Sequence, residues 1–105
     1  SLWENNRVIA ESDMFLENGS NAMSMEVKSE LTVQDVDEHL DRIKTIRRYM
    51  DSRGDSRKLF GAVAGAIVPD NVSKYAQKHG LYVVVPSGKS VAVLNEPDKF
   101  TPKEW

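Results

Sequence analysis

Residues 7–31, RVIAESDMFLENGSNAMSMEVKSEL, contain the pattern that decides the fold. Asn18 and Gly19 suit the positive backbone φ angles of a tight turn, so we predict a β-hairpin with extended chain over residues 7–16 and 22–31. Side chains alternate between the two faces of a strand. In the second strand this places on one face Ala22, Ser24, Glu26, Lys28 and Glu30, and on the other Met23, Met25 and Val27.

Two helices are predicted after the hairpin. Apolar residues recur at spacings of three and four over residues 33–51, the pattern of a helix with one buried stripe. Thr32 followed by Asp35 is typical of a capping box at the start of this helix. A second, shorter helix is predicted over residues 69–79, with Gly80 as its C-terminal cap.

Three further strands complete the predicted sheet. Residues 59–68 and 81–85 are apolar on both parities, which indicates strands covered on both faces, and a last strand is predicted over residues 90–94. The order β-β-α-β-α-β-β predicts an α/β fold in which helices sandwich a mixed β-sheet. We expect a single domain over residues 1–105 that is part of a longer protein.

The composition excludes several classes of protein. With 40% hydrophobic and 29% charged residues, the chain is typical of a soluble globular domain and not of a disordered one. No apolar run approaches the roughly 20 residues needed to cross a bilayer, and residues 1–19 lack the apolar core of a signal peptide. The absence of cysteine excludes disulfides and thiolate metal sites and fits the cytoplasmic location that we expect.

Charged residues are unevenly distributed along the chain, although the net charge is only -2. Residues 1–31 carry six acids and two bases, whereas residues 42–58 carry seven bases and two acids. An acidic segment that can hold a cation is thus followed by a basic segment that can contact phosphate. The alternative for the basic segment is a solvated helix end, where Lys and Arg also complement the helix dipole.

Asp13 and Glu26 are the residues best suited to bind a metal ion. They lie in the two strands of the hairpin, so folding can bring both carboxylates to one face of the sheet. Carboxylate and carbonyl oxygens suit Mg²⁺ or Mn²⁺, and the carbonyl of Val27 is a candidate third ligand. Lys28 projects beside Glu26, where its amine can orient or deprotonate a metal-bound water, or stabilise charge on a phosphate. The alternative is an ordinary solvated strand face without a metal.

Asp13, twelve intervening residues and then Glu26-Val27-Lys28 resemble the signature of the PD-(D/E)xK nuclease superfamily, with Ser12 in place of the proline of the name. The order of elements is similar to the core of that superfamily, and the chain resembles small bacterial members that often carry an N-terminal coiled coil. The resemblance implies a restriction-endonuclease-like fold and Mg²⁺-dependent, endonuclease-type hydrolysis of phosphodiesters, with DNA as the expected partner. It implies Asp13 and Glu26 as metal ligands and Lys28 as the catalytic lysine.

Two alternative functions stay open at this point. One is a catalytically inactive domain of the nuclease fold that serves as an interaction or assembly module. The other is an unrelated α/β domain, in which Asp13 and Glu26 would lie far apart. We also expect a homodimer, formed through residues 91–94 or through the helix at residues 33–50, since exposed sheet edges are usually covered.

Four further polar residues are weaker candidates for the site. Glu11 lies two residues before Asp13, on the same predicted face, and could be an outer acid of the site. Asp35, His39 and Arg42 share one side of the long helix, where His39 could touch a substrate. For that side of the helix we expect ordinary polar surface.

Overall fold

The computed structural model describes the backbone of residues 3–4, 7–8 and 12–105 and the side chains of residues 13–105. Two short strands, β1 (Trp3–Glu4) and β2 (Arg7–Val8), form an antiparallel pair. The main sheet consists of β3 (Ser12–Asn18), β4 (Asn21–Glu30), β5 (Lys58–Ile67), β6 (Tyr82–Ser87) and β7 (Ser90–Val93). The helices of the described chain are α1 (Val33–Ser52) and α2 (Asp70–Lys78).

The five strands of the main sheet lie in the order β3-β4-β5-β6-β7. β4, β5 and β6 are parallel, whereas the edge strands β3 and β7 are antiparallel to their neighbours. Parallel neighbours cannot be joined by a tight turn, so α1 and α2 form the two crossovers. The prediction of an α/β domain with a mixed sheet is confirmed, and from β3 onward the elements follow one another as β-β-α-β-α-β-β.

Both helices pack against the same face of the sheet. The connections from β4 to β5 and from β5 to β6 step across the sheet in one direction, and right-handed crossovers then place successive helices on one side. The predicted sandwich, with helices on both faces of the sheet, is not what the described residues form, because no helix among them covers the opposite face. The core under the helices consists of Ala22, Leu31, Val36, Ile43, Met50, Leu59, Val63, Val72, Ala76, Leu81 and Val83.

The hairpin between β3 and β4 turns at Gly19 and Ser20, one residue later than the predicted pair. Gly19 has a φ of 56°, a value that glycine adopts at little cost. The resulting register pairs Asn18 with Asn21. Two faces alternate along β4 as predicted, because Ala22 belongs to the core under the helices while Met25 and Val27 pack on the opposite face.

The helix ends follow the sequence closely. Thr32 Oγ1 accepts a hydrogen bond from the Asp35 amide and the Asp35 carboxylate accepts one from the Thr32 amide, which confirms the predicted capping box. His79 caps α2, one position before the predicted cap, and Gly80 follows it with a φ of 83°. In the part of the chain that the structure describes, neither helix combines the length and the apolarity needed to cross a membrane.

Candidate functional site

Asp13 and Glu26 face each other across the β3–β4 hairpin. The register set by the Gly19-Ser20 turn makes them direct partners, and their side chains lie on the face that carries α1. Directly opposed residues of an antiparallel pair have Cβ atoms about 5 Å apart. The side chain of Glu26 is 5% exposed and that of Asp13 is 50% exposed, so Glu26 forms the floor of the site and Asp13 its rim.

Lys28 completes the set that the sequence singled out. It lies two residues after Glu26 on the same face of β4, and its Nζ is 3.6 Å from Glu26 Oε1. The side chain is 29% exposed, so the amine can meet both the buried carboxylate and a ligand from solvent. Asp13, Glu26 and Lys28 thus lie together on one face of the sheet. Glu11 lies outside the described residues.

Arg42 of α1 contacts both carboxylates. Its Nη1 forms an ion pair with Asp13 Oδ2 and lies 4.0 Å from Glu26 Oε1. Arg42 is therefore not the ordinary polar surface residue that the sequence pattern predicted. The available signal was its position beside Ile43, at the border of the apolar stripe of α1, from which a long side chain can reach the sheet.

His39 is buried at the back of the site, which corrects the expectation of a surface histidine. Its Nε2 lies 3.0 Å from the carbonyl oxygen of Ser24, an acceptor, so Nε2 carries the proton of the neutral ring. Its Nδ1 is 3.6 Å from Glu26 Oε2, and neither of these two atoms has a hydrogen-bond partner among the described residues. The spacing along α1 could have predicted this burial, because His39 lies three residues after Val36 and four before Ile43, which are both buried.

Burial shifts both of these groups toward their neutral forms. Desolvation raises the pKa of Glu26 above its usual value of 4.5, against the opposing effects of the Lys28 and Arg42 charges. Desolvation lowers the pKa of His39 below 6.5. A neutral His39 forms no ion pair with Glu26. It presents a lone pair at Nδ1, which a proton on Glu26 Oε2 would satisfy.

The residues present fit a cation that takes few protein ligands. Mg²⁺ commonly binds through one or two carboxylates and keeps several waters, and Asp13 and Glu26 supply two carboxylates on one face. The unpartnered Oε2 of Glu26 is a buried atom that still requires a positive or donating partner. Among the described residues there is no group of three or more His, Cys, Asp and Glu side chains placed to hold a metal. That the Val27 carbonyl is a metal ligand stays a prediction. Val27 lies inside the sheet between two strand partners, Ser12 and Ala64.

Comparison with known proteins adds no relative. No family model, no curated protein and no solved structure matches the chain. The resemblance to the PD-(D/E)xK superfamily therefore rests on Asp13, Glu26 and Lys28 and on the elements that carry them.

Proposed function

We propose that this domain is a metal-dependent nuclease of the PD-(D/E)xK type that hydrolyses phosphodiester bonds, with DNA as the expected substrate. The observation that carries the proposal is the direct pairing of Asp13 with Glu26, with the Lys28 amine 3.6 Å from the Glu26 carboxylate. Two acids and a lysine on neighbouring strands are the set that this chemistry needs. A restriction-endonuclease-like fold is part of the same proposal, since a strand hairpin followed by parallel crossovers is its expected core.

Each side chain has a distinct role in this proposal. Asp13 and Glu26 would hold Mg²⁺ or Mn²⁺, which lowers the pKa of a bound water and neutralises charge on the phosphate. Lys28 would orient the attacking water, or accept a proton from it, or stabilise the charge that develops on the phosphate oxygens. His39 lies 3.6 Å behind the buried end of Glu26 and keeps water away from it. Arg42 neutralises the two acids and is a cation that phosphate can draw away from them.

Calorimetric titration of Mg²⁺ and Mn²⁺ at low ionic strength tests the metal site. We expect the wild-type domain to bind the ion and Asp13→Ala to lose binding, because one of two carboxylate ligands is gone. Glu30→Ala is the matched control, since Glu30 is an exposed acid on the same face of β4 and should leave binding unchanged. A folded wild-type domain that binds neither ion would refute the metal-dependent proposal.

A nuclease assay then tests the chemistry itself. We expect cleavage of DNA that needs the ion and is lost in Glu26→Ala and in Lys28→Ala, while Lys28→Ala keeps metal affinity because the amine is not a ligand. Loss of cleavage with retained metal binding separates the catalytic lysine from the ligands. Cleavage that survives in both variants would place the reaction elsewhere or in a contaminant.

A second candidate, an inactive nuclease-fold domain that serves as an interaction or assembly module, is favoured by the face of the sheet opposite the helices. An apolar groove of about 630 Å³ crosses that face. Val91 and Val93, 48% and 53% exposed, form its outer side. Apolar residues that stay exposed over several strands are typical of interaction surfaces. A folded domain that binds no metal and cleaves nothing would favour this function.

A further inference from the structure

The side of α1 that faces β3 continues beyond the candidate site. Arg42, which contacts Asp13, marks this side, and Tyr49 lies two turns further on at the same angular position of the helix. Arg53, eleven residues after Arg42, follows on the same side at the end of α1. This side of the helix therefore carries an arginine, an exposed tyrosine and a second arginine in a row.

β3 forms the floor beside this row. Phe15 and Glu17 follow Asp13 at intervals of two and so share its face. α1 runs from the end of β4 to the start of β5, which is parallel to β4, so the helix runs opposite to β4 and in the direction of β3. Tyr49 lies about 10 Å beyond Arg42 along the helix. Phe15 lies about 7 Å beyond Asp13 along the strand, so the two rings are at a similar level.

Each of the two rings carries an arginine. The Cζ of Arg53 is 5.9 Å from the centre of the Tyr49 ring, and the Cζ of Arg57 is 5.9 Å from the centre of the Phe15 ring. Tyr49 is 63% exposed and Phe15 is 44% exposed, so neither ring is needed to fill the core. We call these four residues the aromatic track.

The two arginines of the track are held differently. Hydrogen bonds from the Arg57 guanidinium lower the pKa of Asp55 to about 2, and Arg57 also pairs with Glu17, so its position over Phe15 is fixed. Arg53 contacts the Tyr49 ring and has no ion pair with an acid among the described residues. The charge of Arg53 is therefore available to an anion next to an exposed ring.

We propose that the aromatic track binds a single strand of nucleic acid and leads it to the site at Asp13 and Glu26. Exposed aromatic rings interleaved with arginines stack unpaired bases and contact the phosphates between them. A duplex offers base edges and not base faces in its grooves, so the track selects unpaired strands. The direction toward the carboxylates rests on the proposed nuclease function, whereas binding itself needs no metal ion.

Fluorescence anisotropy with a labelled thymidine oligonucleotide in EDTA tests the proposal without catalysis. We expect the single strand to bind more tightly than a duplex of equal length. Tyr49→Ala should weaken binding about 5- to 150-fold, the range expected for loss of one stacked base, whereas Tyr49→Phe should keep it because the ring remains. Phe15→Ala should weaken binding in the same range.

Arg53 and Arg48 provide a matched pair, because both are exposed cations near the end of α1 and only Arg53 lies on the track side. Arg53→Ala should weaken binding and reduce the slope of log affinity against log salt by about 0.7, and Arg48→Ala should change neither. Thermal melts of these surface variants confirm that they are folded. Equal losses in Arg53→Ala and Arg48→Ala, wild-type binding in Tyr49→Ala, or tighter binding of the duplex would each overturn the proposal.

Failure of the track and failure of the nuclease are separable. If the wild-type domain binds the strand in EDTA but cleaves nothing with Mg²⁺ or Mn²⁺, strand binding by the track is supported and the nuclease function is refuted. Metal-dependent cleavage with no preference for single strands keeps the nuclease and removes the track.

Discussion

At the scale of single residues, the charge balance around Glu26 decides what the site can do. Its carboxylate is almost fully buried, and two cations, Lys28 and Arg42, lie within 4.0 Å of it. A buried carboxylate with an unpartnered oxygen is costly unless a cation or a proton satisfies it. Arg42, Lys28, a proton and the proposed metal ion would thus compete for the same negative charge.

Removal of Arg42 should strengthen metal binding. In Arg42→Ala the guanidinium no longer neutralises Asp13, so calorimetry should show Mn²⁺ bound about tenfold more tightly than by wild type. The variant should stay folded, because half-exposed ion pairs such as Arg42–Asp13 contribute at most about 1 kcal/mol. Arg48→Ala, an exposed arginine one and a half turns away, is the control. Weaker Mn²⁺ binding in Arg42→Ala would mean that Arg42 supports the ligands and does not compete.

The raised pKa of Glu26 has a defined sign in the pH dependence of stability. The folded protein holds this proton more tightly than the unfolded chain, so Glu26 contributes stability that is fully present below pH 4.5 and lost as pH rises through the raised pKa. At pH 7 Glu26→Gln should therefore be at least as stable as wild type in urea unfolding, and its advantage should shrink toward pH 4.5. The lowered pKa of His39 acts oppositely, with stability lost as pH falls below 6.5, but it is common to both proteins. An advantage that grows on acidification would contradict the assignment.

At the scale of elements, the hairpin and α1 show what the sequence could predict. Period-two alternation and an Asn-Gly turn were enough to place Glu26 and Lys28 on one face and to bring Asp13 to that same face. The direct pairing of Asp13 with Glu26 depends on the turn at Gly19 and Ser20, one residue later than predicted. The roles of His39 and Arg42 depend on how α1 docks onto β4, which a pattern within one helix does not contain. The position of a histidine in an apolar stripe also does not predict which acid its ring will contact in the folded protein. The side of the sheet that the helices cover depends on strand order, which the sequence alone left open.

Gly54 and Gly80 follow the ends of the two helices, and alanine substitutions there test how tightly each connection is packed. Both have positive φ, 70° and 83°. In the part of the chain that the structure describes, a Cβ on Gly54 meets nothing within 4 Å, whereas one on Gly80 lies 2.9 Å from the Lys103 amide nitrogen. Gly54→Ala should cost about 1 kcal/mol of unfolding free energy, the backbone term alone. Gly80→Ala should cost clearly more, because the Gly80 carbonyl also accepts a hydrogen bond from Lys103 and the C-terminal segment must shift. If chemical denaturation showed the same loss of unfolding free energy in both variants, the C-terminal segment would be able to move away from the added Cβ at no cost.

At the scale of the whole molecule, the two faces of the sheet are unequal. One carries both helices, the buried core and the candidate site, and the other carries the apolar groove. The groove reaches β7, an edge strand whose backbone has a free side among the described residues. Function at the carboxylates and association through the opposite face are therefore compatible, since they use different surfaces.

The expected homodimer is testable on β7 because its residues alternate between the two faces. Val93 points into the groove and is 53% exposed, whereas Ser90 lies on the other face of the same strand. If two copies associate through the groove, sedimentation should show a concentration-dependent dimer that Val93→Lys converts to a monomer, because a buried lysine charge is costly. Ser90→Lys should leave the dimer intact. A wild-type domain that sediments as a monomer at every concentration would rule out the homodimer. In that case the groove would have to bind a different protein, and the assembly function would require that second protein.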